Sequence, residues 1–282
     1  MIFISDSQLD AWLQEDIQGG DITTRALGIG ERRGEMHFYH RQGGCVSAIA
    51  LTCRMLARLG LESIAAVRDG DRVEPGALLL QARGSAAALH QGWKASQNLL
   101  EWSCGVSDYA ARMVDILRRY QPEGQIACTR KSIPGTRLAA MQAVLDGGAI
   151  LHRAGCAETV LLFTNHRRFW PQPDDWRGMV ARLRRQAPEK TLIVEADTPQ
   201  EAAAALAAQP DILQLDKFTL AQIAQIQTQA ATLAPRCRLS LAGGINLNSI
   251  ETIAQTGVGL LITSAPYHAA PADIKVRLMP CP

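Results

Sequence analysis

The sequence predicts an α/β protein in which an N-terminal α+β module precedes a parallel sheet that curls into a barrel. Three observations carry this. After Gly124 short apolar runs alternate with helical patterns at roughly 20 to 25 residues, the rhythm of βα units. Before it the pattern is mixed, with turn signals such as Asp69-Gly70-Asp71 and Pro75-Gly76 between strand-like segments. The composition, 47% hydrophobic and 20% charged over 282 residues, is that of a globular chain and excludes disordered and fibrous architectures.

Taken in order, an amphipathic helix begins at Asp6, read as its N-cap, and carries Leu9, Trp12 and Leu13 on one face. A polar, glycine-bearing loop follows at 16–24. Strands are predicted at 34–39 and 77–82, with a helix near 51–59 between them. Residues 85–120 read as two long helices broken at Gly105. The βα region then supplies strands at 125–129, 159–163, 191–196, 211–215, 238–241 and 259–263. Thr198-Pro199, Thr219 and Asn246-Leu247-Asn248 mark helix starts. A further strand before His152 has no clear bounds in its glycine-rich surroundings.

Several classes are excluded. Lys+Arg 29 against Asp+Glu 27 lacks the basic excess of a nucleic-acid binder, and 5% aromatic residues give no base-stacking platform. The longest apolar stretches fall far short of the roughly 18 residues a bilayer span needs. The first residues, MIFISD, lack a basic n-region, so the expected location is cytoplasmic. The seven cysteines show neither disulfide nor zinc spacing, and His90, Cys128 and Cys156 read as structural. Arg182, Arg184 and Arg185 read as a solvated helix face. Nucleophile elbow, dinucleotide fingerprint and P-loop motifs are missing.

Polar residues gather where the predicted strands end, the place where parallel α/β barrels build their active sites. Arg130 and Lys131 follow one strand, Glu195 closes another, Asp216 follows a third, and Gly243-Gly244 and Thr263-Ser264 follow the last two. The cluster at 129–137, joined by His152-Arg153, suits a polyanion: Arg grips carboxylate or phosphate bidentately and Lys acts as a point charge. A solvated basic loop is the plainer alternative. Glu195 and Asp216 on successive strands suit Mg²⁺ shared with substrate phosphates, against helix capping as the alternative. The glycine pair lets backbone N–H groups approach a phosphate, helped by the helix start at Asn246.

With these residues assembled, the whole chain resembles the quinolinate phosphoribosyltransferase family. The resemblance runs through Glu15-Asp16 to Gly20-Asp21-Ile22-Thr23, Asn98, the specific T-R-K-S-x-P-G-x-R block at 129–137, His152-Arg153, Glu195, Leu215-Asp216 and Gly243-Gly244-Ile245. It implies an incomplete barrel over residues 105–266 and an N-terminal α+β sandwich domain over 1–104, joined by the C-terminal segment 267–282. It also implies a homodimer or higher oligomer in which a partner's N-terminal domain covers each mouth. Phosphoribosyl pyrophosphate and an aromatic or heterocyclic acid would meet there. Arg130, His152 and Arg153 would hold carboxylates, and Lys131 would lie between the acid and the pyrophosphate. Glu195 and Asp216 would organise ribose and Mg²⁺. Gly243 and Gly244 would face the 5′-phosphate, and Ser264 would take part in binding substrate. Lys94 stands where the family usually has an arginine contributed across the dimer, and His268 aligns with a family histidine.

The departures point further. The family's L-I-K-D-N-H reads Leu161-Leu162-Phe163-Thr164-Asn165-His166, removing a pocket lysine and an aspartate. Ser240-Leu241-Ala242 replaces E-A-S, Lys217 replaces an asparagine, and Ala149 replaces a third glycine. These changes resemble a branch of the family associated with molybdenum transport systems. Two readings follow: a phosphoribosyltransferase, or a non-catalytic protein holding molybdate or a nucleotide-like ligand in the same cationic mouth.

Overall fold

A computed structural model describes residues 2–281, which form two compact units. The first takes the chain up to Arg112, then Ser132–Ala149, then the segment from Pro266 on; the second takes Met113–Lys131 and Ile150–Ala265.

In the first unit, helix α1 (Asp6–Ile17) is capped by Ser5, which accepts the Gln8 N–H at 3.3 Å. Asp6, expected as the cap, is instead the first helical residue, where its charge complements the helix start. Within the expected loop, Asp21 caps a short helix α2 (Ile22–Ala26) by accepting the Thr24 N–H at 2.6 Å. Strands β1 (Arg33–His40), β3 (Glu62–Ala65), β5 (Ala77–Ser85) and β13 (Ile274–Pro280) form an antiparallel sheet in the order β13-β1-β5-β3. A separate pair joins β2 (Gly44–Cys45) to β4 (Arg72–Val73). Helix α3 (Ile49–Arg58) lacks a side-chain cap from its own N-cap residue, Ala48; Asp69 instead accepts the Ile49 N–H at 2.6 Å. Alternation along β1 sends Met36 and Phe38 into a core shared with Leu79, Leu80, Leu89 and Leu100.

The break expected at Gly105 does not occur. Helix α4 (Ala86–Tyr120) runs straight through it. A Cβ there would collide with the Ala270 carbonyl oxygen, and one turn earlier Glu101 accepts the Ala272 N–H at 2.8 Å. The glycine serves close backbone approach, and its helix-propensity cost is absorbed by that packing. Helix α5 (Arg137–Asp146) completes the unit.

The second unit is a seven-stranded parallel sheet. Its strands are β6 (Gln125–Cys128), β7 (Ile150–Leu151), β8 (Val160–Leu162), β9 (Leu192–Ala196), β10 (Ile212–Asp216), β11 (Arg238–Ala242) and β12 (Leu260–Thr263). Their order is β7-β6-β12-β11-β10-β9-β8. The six strands expected here are all present, and β7 is the strand hidden before His152. No pairing joins β7 to β8 among the described residues, so the sheet is an open half-barrel, the incomplete barrel that the family resemblance implies rather than the closed one suggested by the strand rhythm alone. Ala127, Leu260 and Ile262 fill its interior with Ile150, Ile212 and Ala242.

Connecting helices are α6 (Thr164–Arg167), α7 (Trp176–Gln186), α8 (Pro199–Ala207), α9 (Leu220–Leu233) and α10 (Ile250–Ala254). Thr198 and Thr219 cap α8 and α9 as expected, accepting the Glu201 and Gln222 N–H groups at 3.2 and 3.3 Å. The helix expected from Asn246 begins only at Ile250. Before it lies a turn in which Asn246 Oδ1 accepts the Asn248 N–H at 2.9 Å and Ser249 Oγ donates to the Gly244 carbonyl at 3.0 Å. Among the described residues no helix is long and apolar enough to cross a membrane.

Candidate active site

Residues paired across a parallel sheet face the same side, so the strand register identifies what lines the interior. Asp216 pairs with Ala242, and Ile262 pairs with Ala127; Ala242 in turn pairs with Ile262. Three of these belong to the interior apolar cluster, which puts Asp216 on the interior face at the C-terminal edge. One row deeper, Glu195 pairs with Gln214 and Gln214 with Ser240. Beyond the strand ends, Thr129 and Ser264 share a hydroxyl hydrogen bond of 2.6 Å.

The cations sit at the β7/β6 end of the sheet. Lys131 is exposed, with its N–H donating to Thr129 Oγ1 at 3.2 Å. His152 extends the ladder, its N–H bonding the Cys128 carbonyl at 2.8 Å. Burial, reinforced by the neighbouring Arg153 guanidinium, pulls the His152 imidazole down to about 4, so it is neutral at pH 7. It therefore adds a hydrogen-bonding ring and no charge to the cationic cluster expected here. Arg153 is also held below its usual value, by burial and then by Arg130. Cys156, expected to be structural, lies exposed between the two arginines. Arg130 Nη1 donates to its sulfur at 2.9 Å and Arg153 Nη2 to its carbonyl at 3.1 Å.

The carboxylates sit on β9 and β10. Burial pushes Glu195 up to about 7, and the like charge of Asp216 adds to the shift; Gln214 Nε2 donates to Glu195 Oε2 at 2.6 Å, and Lys131 opposes the rise across the interior. Lys217 Nζ pairs with Asp216 Oδ2 at 3.5 Å. The donor set fits Mg²⁺, which takes one or two carboxylates and completes its shell with water and phosphate oxygens. A buried carboxyl raised by a second acid is one that a cation would relieve. Among the described residues no larger His, Cys, Asp and Glu group suits a metal.

The two glycines differ. Gly243, at φ 88°, leaves room for its neighbours, since a Cβ would meet Asp216 Oδ1 at 2.7 Å and overlap the Lys217 side chain. Gly244, at φ 71°, faces open space. A phosphate approaching this loop meets backbone and turn, without the helix start expected at Asn246. At the departures from the family pattern, Phe163 stacks on His166 with ring centroids 5.7 Å apart, and Thr164 Oγ1 donates to Asp197 Oδ2 at 2.8 Å. Leu162 pairs with Val194, so the next position along brings Phe163 beside Glu195.

Nine of the expected site residues thus belong to the second unit: Arg130, Lys131, His152, Arg153, Glu195, Asp216, Gly243, Gly244 and Ser264. Lys94 and His268 belong to the first, where Lys94 is exposed, lying 4.5 Å from the Trp93 ring centroid and donating to Gln97 Oε1 at 3.1 Å. Sequence reasoning passed over Gln214 and met Ser240 only as a departure from the family's E-A-S. The signal was present: Gln214 is two residues before Asp216 and so on its face, and Ser240 is two before Ala242.

Residues 106–277 match the quinolinate phosphoribosyl transferase C-terminal domain, and residues 21–104 match the N-terminal domain of the same family. The chain belongs to the quinolinate phosphoribosyl transferase family. It is 60% identical over 280 residues to the ModD protein of Escherichia coli O6:H1, covering 99% of both chains. It is 29% identical over 279 residues to the nicotinate-nucleotide pyrophosphorylase (carboxylating) of Mycobacterium leprae, covering 94% of this chain and 96% of that one. The crystal structure of NadC from Streptococcus pyogenes shares the fold with a TM-score of 0.89 at 24% identity, over 100% of both chains. Quinolinate phosphoribosyl transferases are pentosyltransferases acting on small molecules.

Proposed function

We propose that the chain transfers phosphoribosyl from phosphoribosyl pyrophosphate to the ring nitrogen of quinolinate or a related heterocyclic acid, releasing pyrophosphate. The observation that carries this reading is the division of one half-barrel edge into a cationic side and a carboxylate side, joined by neutral glycine and hydroxyl positions. In this reading Arg130 and Arg153 grip the acid's carboxylate, and His152 orients it as a neutral partner. The ring nitrogen's electron pair forms the new bond to the anomeric carbon. The bond from that carbon to oxygen breaks, and its electron pair leaves with pyrophosphate. Lys131 holds the charge that develops on the leaving group. Glu195 and Asp216 steady the positive charge at the anomeric carbon and would hold Mg²⁺. When bound, that ion supplies neutralisation of the pyrophosphate oxygens. With a carboxyl beside the ring nitrogen, loss of carbon dioxide leaves an electron pair on the ring carbon, which then takes a proton.

Support comes from family membership and from the M. leprae relative, named for this carboxylating reaction. The test is Mg²⁺-dependent pyrophosphate release from phosphoribosyl pyrophosphate with quinolinate, nicotinate or no acceptor. Release only with an acid, lost in Lys131→Ala, is the expected result; no acid-dependent release from folded protein sinks the reading. A cytoplasmic homodimer with shared mouths belongs to the same proposal, and sedimentation at working concentration checks the dimer.

A second reading has its own observation. Phe163 beside Glu195 and the Lys217 pair on Asp216 both alter the acidic side, as a protein that binds an oxyanion without turnover would tolerate. Saturable molybdate binding by a protein inactive with every acid would favour it.

A further inference from the structure

Glu195, Gln214 and Ser240 form one polar row across β9, β10 and β11, on the same face as the apolar cluster of the half-barrel interior. Gln214 is 4% exposed and Ser240 1%. Gln214 commits the donor end of its amide to Glu195 at 2.6 Å, which turns Oε1 the other way. That oxygen and Ser240 Oγ are both buried and without a hydrogen-bond partner among the described residues. Buried polar atoms are nearly always satisfied, so two orphans on paired residues ask for a shared partner. The row lies one step below the open edge: toward the strand ends the same-face neighbours are Asp216 and Ala242, both partly exposed, and Ala242 sets only a methyl group between Ser240 and that edge.

We infer that Gln214 Oε1 and Ser240 Oγ form a recognition subsite on the half-barrel floor for a hydrogen-bond donor, a ring hydroxyl or ring N–H, carried by the heterocyclic acid. The amide oxygen only accepts, and the hydroxyl both accepts and donates, so the pair is matched to a donor-bearing ring. A ring without a donor leaves both atoms unsatisfied, and such sites discriminate strongly against the analogue lacking the group. Ile212 and Leu260, in the same interior, supply apolar contact for the ring. The subsite rests on the reading of the mouth as an acid site and names the acid's class within it.

The test is calorimetric titration of the full chain, with Mg²⁺ and phosphoribosyl pyrophosphate absent, using nicotinate, 5-hydroxynicotinate, which carries a phenol-type O–H, and 6-hydroxynicotinate, which presents a ring N–H as its pyridone. At least one donor-bearing acid should bind about tenfold or more tightly than nicotinate, the scale of one satisfied hydrogen bond. Ser240→Ala and Gln214→Met should each collapse that ratio to about twofold. The ratio in the unsubstituted protein is readable even if a variant fails to fold. Equal affinity for all three acids, as expected if a water fills the pair, overturns the subsite while leaving the acid site standing. Absence of binding by every acid overturns both, and turnover in the pyrophosphate assay separates failure of the reaction from failure of the subsite.

Discussion

The two sides of the half-barrel edge are built differently. The carboxylates stand on β9 and β10, on residues that are themselves within the hydrogen-bonded ladder, with Glu195 half-buried and tied to Gln214 at 2.6 Å. The cations stand on loops after β6 and β7, where Lys131 is exposed and Arg130 and Arg153 converge on Cys156. Three strand spacings, on the order of 14 Å along the sheet, separate β6 from β10. A ladder fixes position and strips water, while a loop lets a long side chain follow its ligand. The acids are therefore preorganised, Glu195 strongly perturbed by its burial, whereas the cations adapt.

The largest break in this contrast is expected from Lys131→Ala. Removing the exposed cation should lower acid-dependent pyrophosphate release by about 100-fold or more, with thermal stability unchanged, since the group contributes to a charge formed during reaction. Retention of activity would show that the leaving group is handled elsewhere. Glu195→Gln comes next, with an expected loss of about 10- to 100-fold and retained fold, because the amide keeps a hydrogen-bonding partner for Gln214. If it instead unfolds the protein, the ladder-held acid is a structural member.

The glycine pair sharpens the comparison. Gly243→Ala forces a methyl against Asp216 and Lys217 and should cost about 2 kcal/mol or more in a denaturant titration. Gly244→Ala meets open space and should cost only about 1 kcal/mol of backbone strain. Equal costs would mean that the carboxylate side does not need the missing side chain.

The smallest expected effect is on acid stability. Because His152 is pulled from 6.5 to about 4, the folded chain binds its proton more weakly than the unfolded chain. Above pH 6.5 neither state is charged, and stability drains as the pH falls from 6.5 toward about 4. His152→Asn should recover on the order of 1–2 kcal/mol at pH 5 and nothing at pH 8. An unchanged loss between pH 7 and pH 5 would assign the acid sensitivity to other groups.

Much of this was legible from residues alone. Apolar runs located every parallel strand except β7, whose two residues are too short for a pattern. The clustering of polar residues after those strands located the edge. Two glycine and helix-start judgements failed for a common reason. Gly105 has a breaker's propensity, yet its contact with Ala270, 165 positions along the chain, is invisible locally. Asn246 has cap chemistry, yet its side chain stabilises a turn before the helix. Gln214 was passed over, and Ser240 was met only as a departure from E-A-S, because one polar residue in an apolar run reads as noise until register aligns it with a second.

The unpaired edges of β7 and β8 have one more consequence. A closed barrel fixes its circumference through strand number and shear, so a larger floor residue must be accommodated by every strand at once. An open ring has no such closure condition. The sheet can curl slightly more or less, spreading a change of floor volume over successive twists. This architecture can accordingly exchange floor residues singly, and a lineage built on it can drift from one ring-shaped ligand to another without passing through an unfolded intermediate. The brevity of the two edge strands, two and three residues, keeps that freedom from becoming a template for aggregation.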